Sequence, residues 1–209
     1  MAVSARRRKA REIKRGAIIK AARSLFLAKG FSDVTVDAIA KKVDISKGAF
    51  YLHFKSKDEI YVSVLSSEIE RFCRTTSEIQ LSPDSAKSAM KELAAAYVDF
   101  FLDEPEIFRI FISFMLFIDK KSKHHEQLYK LVEQARRAIK LVEDIIDKGI
   151  ASGEFSSSLD RQLLLNAIWG LLNGIINLYI FVARRDEHRE KIKKTVSCGL
   201  DAILAGISA

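Results

Sequence analysis

Only two prolines, Pro83 and Pro105, interrupt the 209 residues of this chain, and that scarcity of breakers limits its fold more than any other feature. Proline stops helices, whereas Leu, Ala, Lys and Glu propagate them, and long runs of such residues fill the rest of the sequence. The chain is therefore read as all-α. Apolar residues make up 48% and charged residues 30%, a balance that supports a buried core and excludes a disordered chain. The length suits one large or two modest domains.

Charge is unevenly spread. Residues 1–57 hold fifteen Lys and Arg against four Asp and Glu, a net +11, while the remainder holds twenty against twenty-three, a net −3. The whole excess sits at the N-terminal end, where the natural partner is a polyanion: nucleic acid, or the surface of an anionic membrane. No membrane span is expected. Residues 107–118 are apolar but broken by Arg109, and too short to cross a bilayer. Residues 163–183 are longer, yet Asn166, Asn173 and Asn177, with Gly170 and Gly174, interrupt them, so they read as a helix buried in protein. Cys73 and Cys198 lie far apart and show no metal spacing, and no apolar signal-type stretch follows the basic start. The expectation is a cytoplasmic protein with reduced thiols.

The N-terminal region resolves into three short helices. Residues 6–15 read RRRKAREIKR, a basic run that serves either as a solvated tail or as an arm along phosphates or in the minor groove. From Gly16 to Lys29, Ile18, Ile19, Ala22, Leu25 and Phe26 repeat at helical period, and Gly30 ends the helix. Thr35 is a good N-cap for a second helix with Val36, Ile39, Ala40 and Val43 on its inner face. Asp44 marks a sharp turn, Ile45 an apolar plug, and Ser46 the cap of a third helix through Lys47, Gly48, Ala49, Phe50 and Tyr51. That helix is too short to stand alone and carries a small, polar outer face. Packed across the first two, it has the geometry of a recognition helix in the major groove.

The segment AARSLFLAKGFSDVTVDAIAKKVDISKGAFYLHFKSKDEIY strongly resembles the DNA-binding domain of the TetR family of bacterial and archaeal regulators. The ordered set AA–LF–KG, TV–IA and SKGAFY-HFKSKDE carries the match, over about a quarter of the chain. The resemblance implies a homodimeric, ligand-responsive repressor of a near-palindromic duplex operator. It places the DNA-binding helix-turn-helix in residues 1–57 and a helical ligand-binding and dimerisation domain in 58–209. It gives Thr35, Tyr51, His53 and Lys57 contacts to the DNA backbone, and sets Ser46, Lys47, Gly48 and Ala49 at or near the groove. Lys47 is the best candidate for a base contact, since Lys reads guanine acceptors. Phe26, Ile39, Ala40, Ile45, Phe50 and Phe54 are implied to hold the three helices together. Two departures stand out: the family commonly has glycine where this chain has Asp44, and Leu or Ile where it has Phe50.

Beyond Lys57 the sequence reads helix after helix. A fourth helix runs to about Ser77; Ser82-Pro83-Asp84 reads as cap, first turn and acid of a fifth, ending near Leu102. Pro105 opens a sixth, and further helices are expected over about 124–151, 159–183 and 187–204. Residues Leu163 to Leu178 are apolar around the whole helix, so they are covered on all sides, either by a second subunit or as a deep monomer core. The resemblance implies the former, with Leu163, Leu171, Gly174, Ile175, Leu178 and Leu200 at the dimer interface. Tyr97, Phe101, Phe108, Phe111, Phe114 and Met115, with Asn173, line either a pocket for a hydrophobic or aromatic effector, as the resemblance implies, or closed core. Arg109, Asp99 and Asp103 would be its polar contacts.

No HExxH, CxxC, GxSxG or phosphate loop is present, so neither catalytic residues, metal nor cofactor is expected. His124–His125 is an exposed pair at a helix start. Two rival readings are a ligand-independent or activating DNA-binding regulator, and a helical interaction protein without DNA binding.

Overall fold

The computed structural model describes residues 2–77, 85–117, 125–180 and 185–209. Among them the chain forms α1 (Ala2–Lys29), α2 (Val36–Lys42), α3 (Lys47–Tyr51), α4 (Lys57–Ser77), α5 (Ala86–Asp103), α6 (Pro105–Phe117), α7 (His125–Ala151), α8 (Arg161–Ile180) and α9 (Arg185–Gly206). The extended element among these residues is one isolated antiparallel bridge, Phe155 to Ser208. The fold is all-α.

Two starts differ from the expected ones. The first helix begins at Ala2, not Gly16, because Arg, Lys and Ala are good helix formers and nothing before Gly16 breaks them. Gly16 itself is exposed and the helix runs straight through it. The fifth helix opens at Ala86 with Ser85 as its cap, whose hydroxyl accepts from the Ser88 N–H. Ser82-Pro83-Asp84 lies outside the described residues. The carboxylate of Glu154 completes that cap, accepting from the Ala86 and Lys87 N–H groups at 2.7 and 3.3 Å and from the Ser85 hydroxyl at 2.9 Å. An anion on a positive helix end is favourable, and these donors hold the Glu154 carboxyl below its ordinary range.

The chain divides into two compact units. The first comprises Met1–Arg71 with Glu106–Gln134. Its core gathers Ile18, Ala22 and Phe26 of α1, Ile39 and Ala40 of α2, Phe50 of α3, Phe54, Ile60, Tyr61, Val64 and Leu65, together with Ile110 of α6 and Leu131 of α7. The Tyr61 hydroxyl donates to the Ile110 carbonyl at 2.7 Å, and burial pushes its pKa up. Glu68 of α4, only 5% exposed, accepts from Arg23 of α1 at 2.6 Å and from Arg71 at 2.9 Å. A buried carboxylate is tolerated because two guanidiniums satisfy it.

The second unit comprises Phe72–Pro105 with Ala135–Ala209. Here α8 packs on α9 and α5, burying Leu164, Ile168, Leu172, Ile175 and Ile176 of α8 and Ile192, Val196, Leu200 and Leu204 of α9. Asp99 and Asp103 of α5 pair with Arg189 at 2.6 and 2.9 Å, and Lys193 also reaches Asp99.

The joint between α2 and α3 is a Schellman turn closed by a non-glycine residue. The Ile45 N–H reaches the Ala40 carbonyl at 3.0 Å and the Asp44 N–H the Lys41 carbonyl at 3.2 Å, with Asp44 at φ +53°. A side chain in that left-handed region costs about 1–2 kcal/mol, less for Asp than for most residues. Asp44→Gly is therefore expected to stabilise the protein by about 0.5–1 kcal/mol after the larger entropy loss of glycine is deducted, raising the melting temperature by about 1–4 °C. Calorimetry checks this; an unchanged or lower melting temperature means that the turn is not strained.

Candidate nucleic-acid interface

The segment from Thr35 to Lys57 is built on caps and one buried ring. Thr35 Oγ1 accepts from the Ala38 N–H at 3.1 Å and opens α2; Ser46 Oγ accepts from the Ala49 N–H at 3.1 Å and opens α3. Phe50 faces inward with 0% exposure, and its ring meets those of Tyr51 and Phe54 at 5.5 and 5.7 Å. Phe26, Ile39, Ala40 and Phe54 are likewise buried, and Ile45 packs partly buried against them.

The outer side is open. Thr35, Ser46, Lys47 and Gly48 are exposed, Ala49 is half-buried, and Tyr51 keeps 48% of its surface. The Lys47 ammonium lies 2.9 Å from the Asp37 carboxylate of α2, which raises its pKa through a hydrogen bond and charge attraction. Both partners are exposed, and water screens a surface pair of this kind, so Lys47 is easily handed to another acceptor.

His53 and Lys57 are more deeply engaged. Lys57 Nζ donates to the Phe31 carbonyl at 2.9 Å and the Ser32 carbonyl at 3.3 Å, and lies 4.2 Å from the Phe31 ring centre. It thereby ties the α1–α2 loop to the start of α4, a structural role that sequence spacing did not reveal. His53 Nδ1 is buried with no hydrogen-bond partner. Burial first, then the charges of Arg11, Arg15 and Lys14, push its pKa below the ordinary value of 6.5. The imidazole is thus held neutral at the end of α3.

Two arginines of α1 complete the arrangement. Arg15 donates to the His53 carbonyl at 2.8 Å and to Ser63 Oγ at 3.0 Å, with its guanidinium 4.1 Å from the Phe54 ring centre. Arg11 donates to the Leu52 carbonyl at 3.1 Å. These carbonyls lie just past α3, so α1 ties down the end of that helix from outside its own sequence. Sequence periodicity missed this, because it assigns basic residues to a solvated face.

The residues expected as effector contacts are distributed over both compact units. In the second unit Tyr97 is half-buried with its ring 5.6 Å from Phe72 and 5.0 Å from Phe101; its hydroxyl donates to Asn173 Oδ1 at 2.9 Å, and Asn173 Nδ2 donates to the Trp169 carbonyl at 2.8 Å. Phe108, fully buried, and Phe111, partly buried, belong to the first unit. The side chains of Phe114 and Met115, like that of His125 and all of His124, lie outside the described residues. Asp99 and Asp103, expected as polar contacts, are held in ion pairs with Arg189 of α9. Among the interface residues, Leu163 and Leu178 are 66% and 65% exposed, Gly174 is exposed and Leu171 half-buried, while Ile175 and Leu200 are buried in the unit's own core. Among the described residues no three metal-ligating side chains gather, and no helix is long and apolar enough to cross a membrane.

Gly48 is the position where fold and interface separate most cleanly. A Cβ there would meet nothing closer than Ser46 Oγ at 3.8 Å, so the chain's own packing does not require glycine. Gly48→Ala is expected to stabilise the protein by about 0.5–1 kcal/mol, the usual helix gain, and to weaken duplex binding. Thermal melts and titrations with duplex DNA read the two effects separately; unchanged binding would mean that nothing approaches this position closely.

Comparison with known proteins agrees with this architecture. Residues 18–64 match the profile of the bacterial regulatory proteins of the tetR family, and residues 83–179 that of the tetracyclin repressor-like C-terminal domain. The HTH-type transcriptional regulator SrpR of Pseudomonas putida is 28% identical over 179 residues, 84% of this chain and 78% of that protein. The fatty acid metabolism regulator protein of Bacillus subtilis is 22% identical over 163 residues, 78% of this chain and 81% of that protein. In three dimensions the chain superposes on the transcriptional regulator FadR of Bacillus subtilis, solved with stearoyl-CoA, with a TM-score of 0.72 and 20% identity over 91% of this chain and 98% of the other. With a helix-turn-helix profile at its N-terminal end and a regulatory-domain profile behind it, this chain belongs to the TetR family of transcriptional regulators.

Proposed function

We propose that this protein is a homodimeric, ligand-responsive repressor that binds a near-palindromic operator through α3. The observation that carries the reading is the division of α3 into a fully buried inner side, Phe50, and an open outer side bearing Ser46, Lys47, Gly48 and Tyr51. Lys47 leaves Asp37 for a guanine acceptor in the major groove, Tyr51 and Thr35 donate to phosphates, and Ala49 stays close enough for a base methyl. Two copies of α3 then sit one helical turn apart, about 35 Å, in successive major grooves.

The second copy is supported by an apolar stripe on α8. Leu163 and Leu178 are 66% and 65% exposed, and Gly170 and Gly174 lie open between them with nothing within 4 Å of an added Cβ. Side chains of this size gain about 1.5–3 kcal/mol each on full burial, and the glycines allow a partner helix to approach closely. The effector is read as hydrophobic. The aromatic character of α5 supports this, as does the stearoyl-CoA held by the structural neighbour. Such a ligand acts by favouring one separation of the two heads over another.

Two experiments test this. Selection from random duplex DNA should yield a palindromic site. On that site Lys47→Ala should relax preference at one position by about 1–3 kcal/mol, whereas Tyr51→Phe should weaken binding to all sequences by about tenfold. Specific binding left intact by both changes overturns these roles. Leu163→Glu with Leu178→Glu should leave helicity unchanged, sediment as a monomer and lose the palindrome; a persisting dimer overturns α8 as the interface.

A further inference from the structure

The N-terminal part of α1 stands clear of the core. Every residue from Ala5 to Ile13 is exposed, and only at Lys14 does the helix become half-buried. Residues 6–15 carry seven cations, Arg6, Arg7, Arg8, Lys9, Arg11, Lys14 and Arg15, against one acid, Glu12. This arm lies before residue 18, where the match to the family profile begins, so the family motif does not account for it.

Its orientation is fixed at its base. Arg11 and Arg15 bind the carbonyls of Leu52 and His53, the two residues that follow α3. At about 100° per residue, Arg7, Arg8, Arg11, Lys14 and Arg15 fall within an arc of about 120° on the side of α1 that meets the end of α3. Arg6 and Lys9 point about 140–160° away from the middle of that arc. Beyond Arg11 the arm runs nine residues to Ala2, about 14 Å. Duplex DNA carries one phosphate charge per about 1.7 Å of axis, so an arm of this length passes several.

We infer that the N-terminal half of α1 is a second DNA-binding element, in which Arg7 and Arg8 contact phosphates flanking the bases read by α3. The inference rests on α3 lying in the major groove. A membrane surface is disfavoured, because among residues 5–14 the exposed large apolar side chain is Ile13, and a helix that lies on lipid needs a whole apolar face.

The test compares the full chain with Arg7→Gln/Arg8→Gln and, as a charge-matched control, Arg6→Gln/Lys9→Gln. Each is titrated over a range of salt against the duplex that the unaltered chain selects from random sequence. The same duplex trimmed to the selected bases, and vesicles containing phosphatidylserine, are titrated alongside. Loss of two phosphate contacts should lower the slope of log K against log salt by about 1.8, and affinity at 0.15 M salt by about thirtyfold. The control should stay within about 0.5 of the unaltered slope, and trimming the flanks should weaken the unaltered chain but not Arg7→Gln/Arg8→Gln. Equal slope changes in both pairs would reduce the arm to diffuse charge. No change in either, or loss of vesicle binding with an unchanged DNA slope, overturns the inference while leaving α3 standing. Absence of any sequence preference in the unaltered chain overturns the reading of α3 instead.

Discussion

A five-residue helix has no stability of its own, because nucleation costs more than a single turn returns. What holds α3 in place is Phe50, whose ring is wholly withdrawn from water into a core built from α1, α2 and α4. Burial of a ring of that size is worth about 1.5–3 kcal/mol, and the Ser46 cap adds about 1 kcal/mol more. Around that anchor the chain can leave the outer side of α3 unpacked. Glycine at position 48 is not needed by the fold, as the open space around it shows. The outer side of α3 is thus what remains after the inner side has met the demands of stability.

The same anchor explains why the flanking turns carry so much chemistry. The α2–α3 joint must be tight for Phe50 to reach the core, so the chain accepts Asp44 at positive φ rather than lengthening the loop. The carbonyls after α3 have no following turn to bind them, and Arg11 and Arg15 of α1 supply the donors. Lys57 closes the opposite side by binding the carbonyls of Phe31 and Ser32. Cations that raise the local positive potential therefore also satisfy backbone acceptors, and removing any of them disturbs both.

Legibility from sequence followed the range of the interaction. Thr35, Ser46, Gly30 and Asp44 act within four residues of themselves, and each could be read as cap or turn from its neighbours. The inner faces of α1 and α2 were equally plain, since burial imprints a 3.6-residue period. Contacts between distant residues left no such trace. Nothing near Lys57 announces Phe31, and nothing near Ser85 announces Glu154, 69 positions away, as the group that completes its helix start. Nor does composition distinguish a basic tail from a basic helix: the same Arg and Lys residues serve both, and only the absence of a breaker before Gly16 favoured the helix. Whether the aromatic residues of α5 and α6 line a pocket or fill closed core is likewise set by contacts between distant residues, which helical periodicity does not record.

The hydrogen bond from Tyr61 to Ile110 has a consequence for how such a protein can be recombined. Residues up to 57 hold α1, α2 and α3, but the core beneath them is finished by Ile60, Tyr61, Val64 and Leu65 of α4, Ile110 of α6 and Leu131 of α7. A graft of residues 1–57 onto a foreign sensor would expose Phe26 and Phe54 where those side chains had been. A transferable head must carry α4 as far as Glu68 and bring, or rebuild, the patch of α6 and α7 that seals it. Exchange of sensors among such proteins is therefore limited less by the operator than by a handful of apolar side chains on the sensor's own helices.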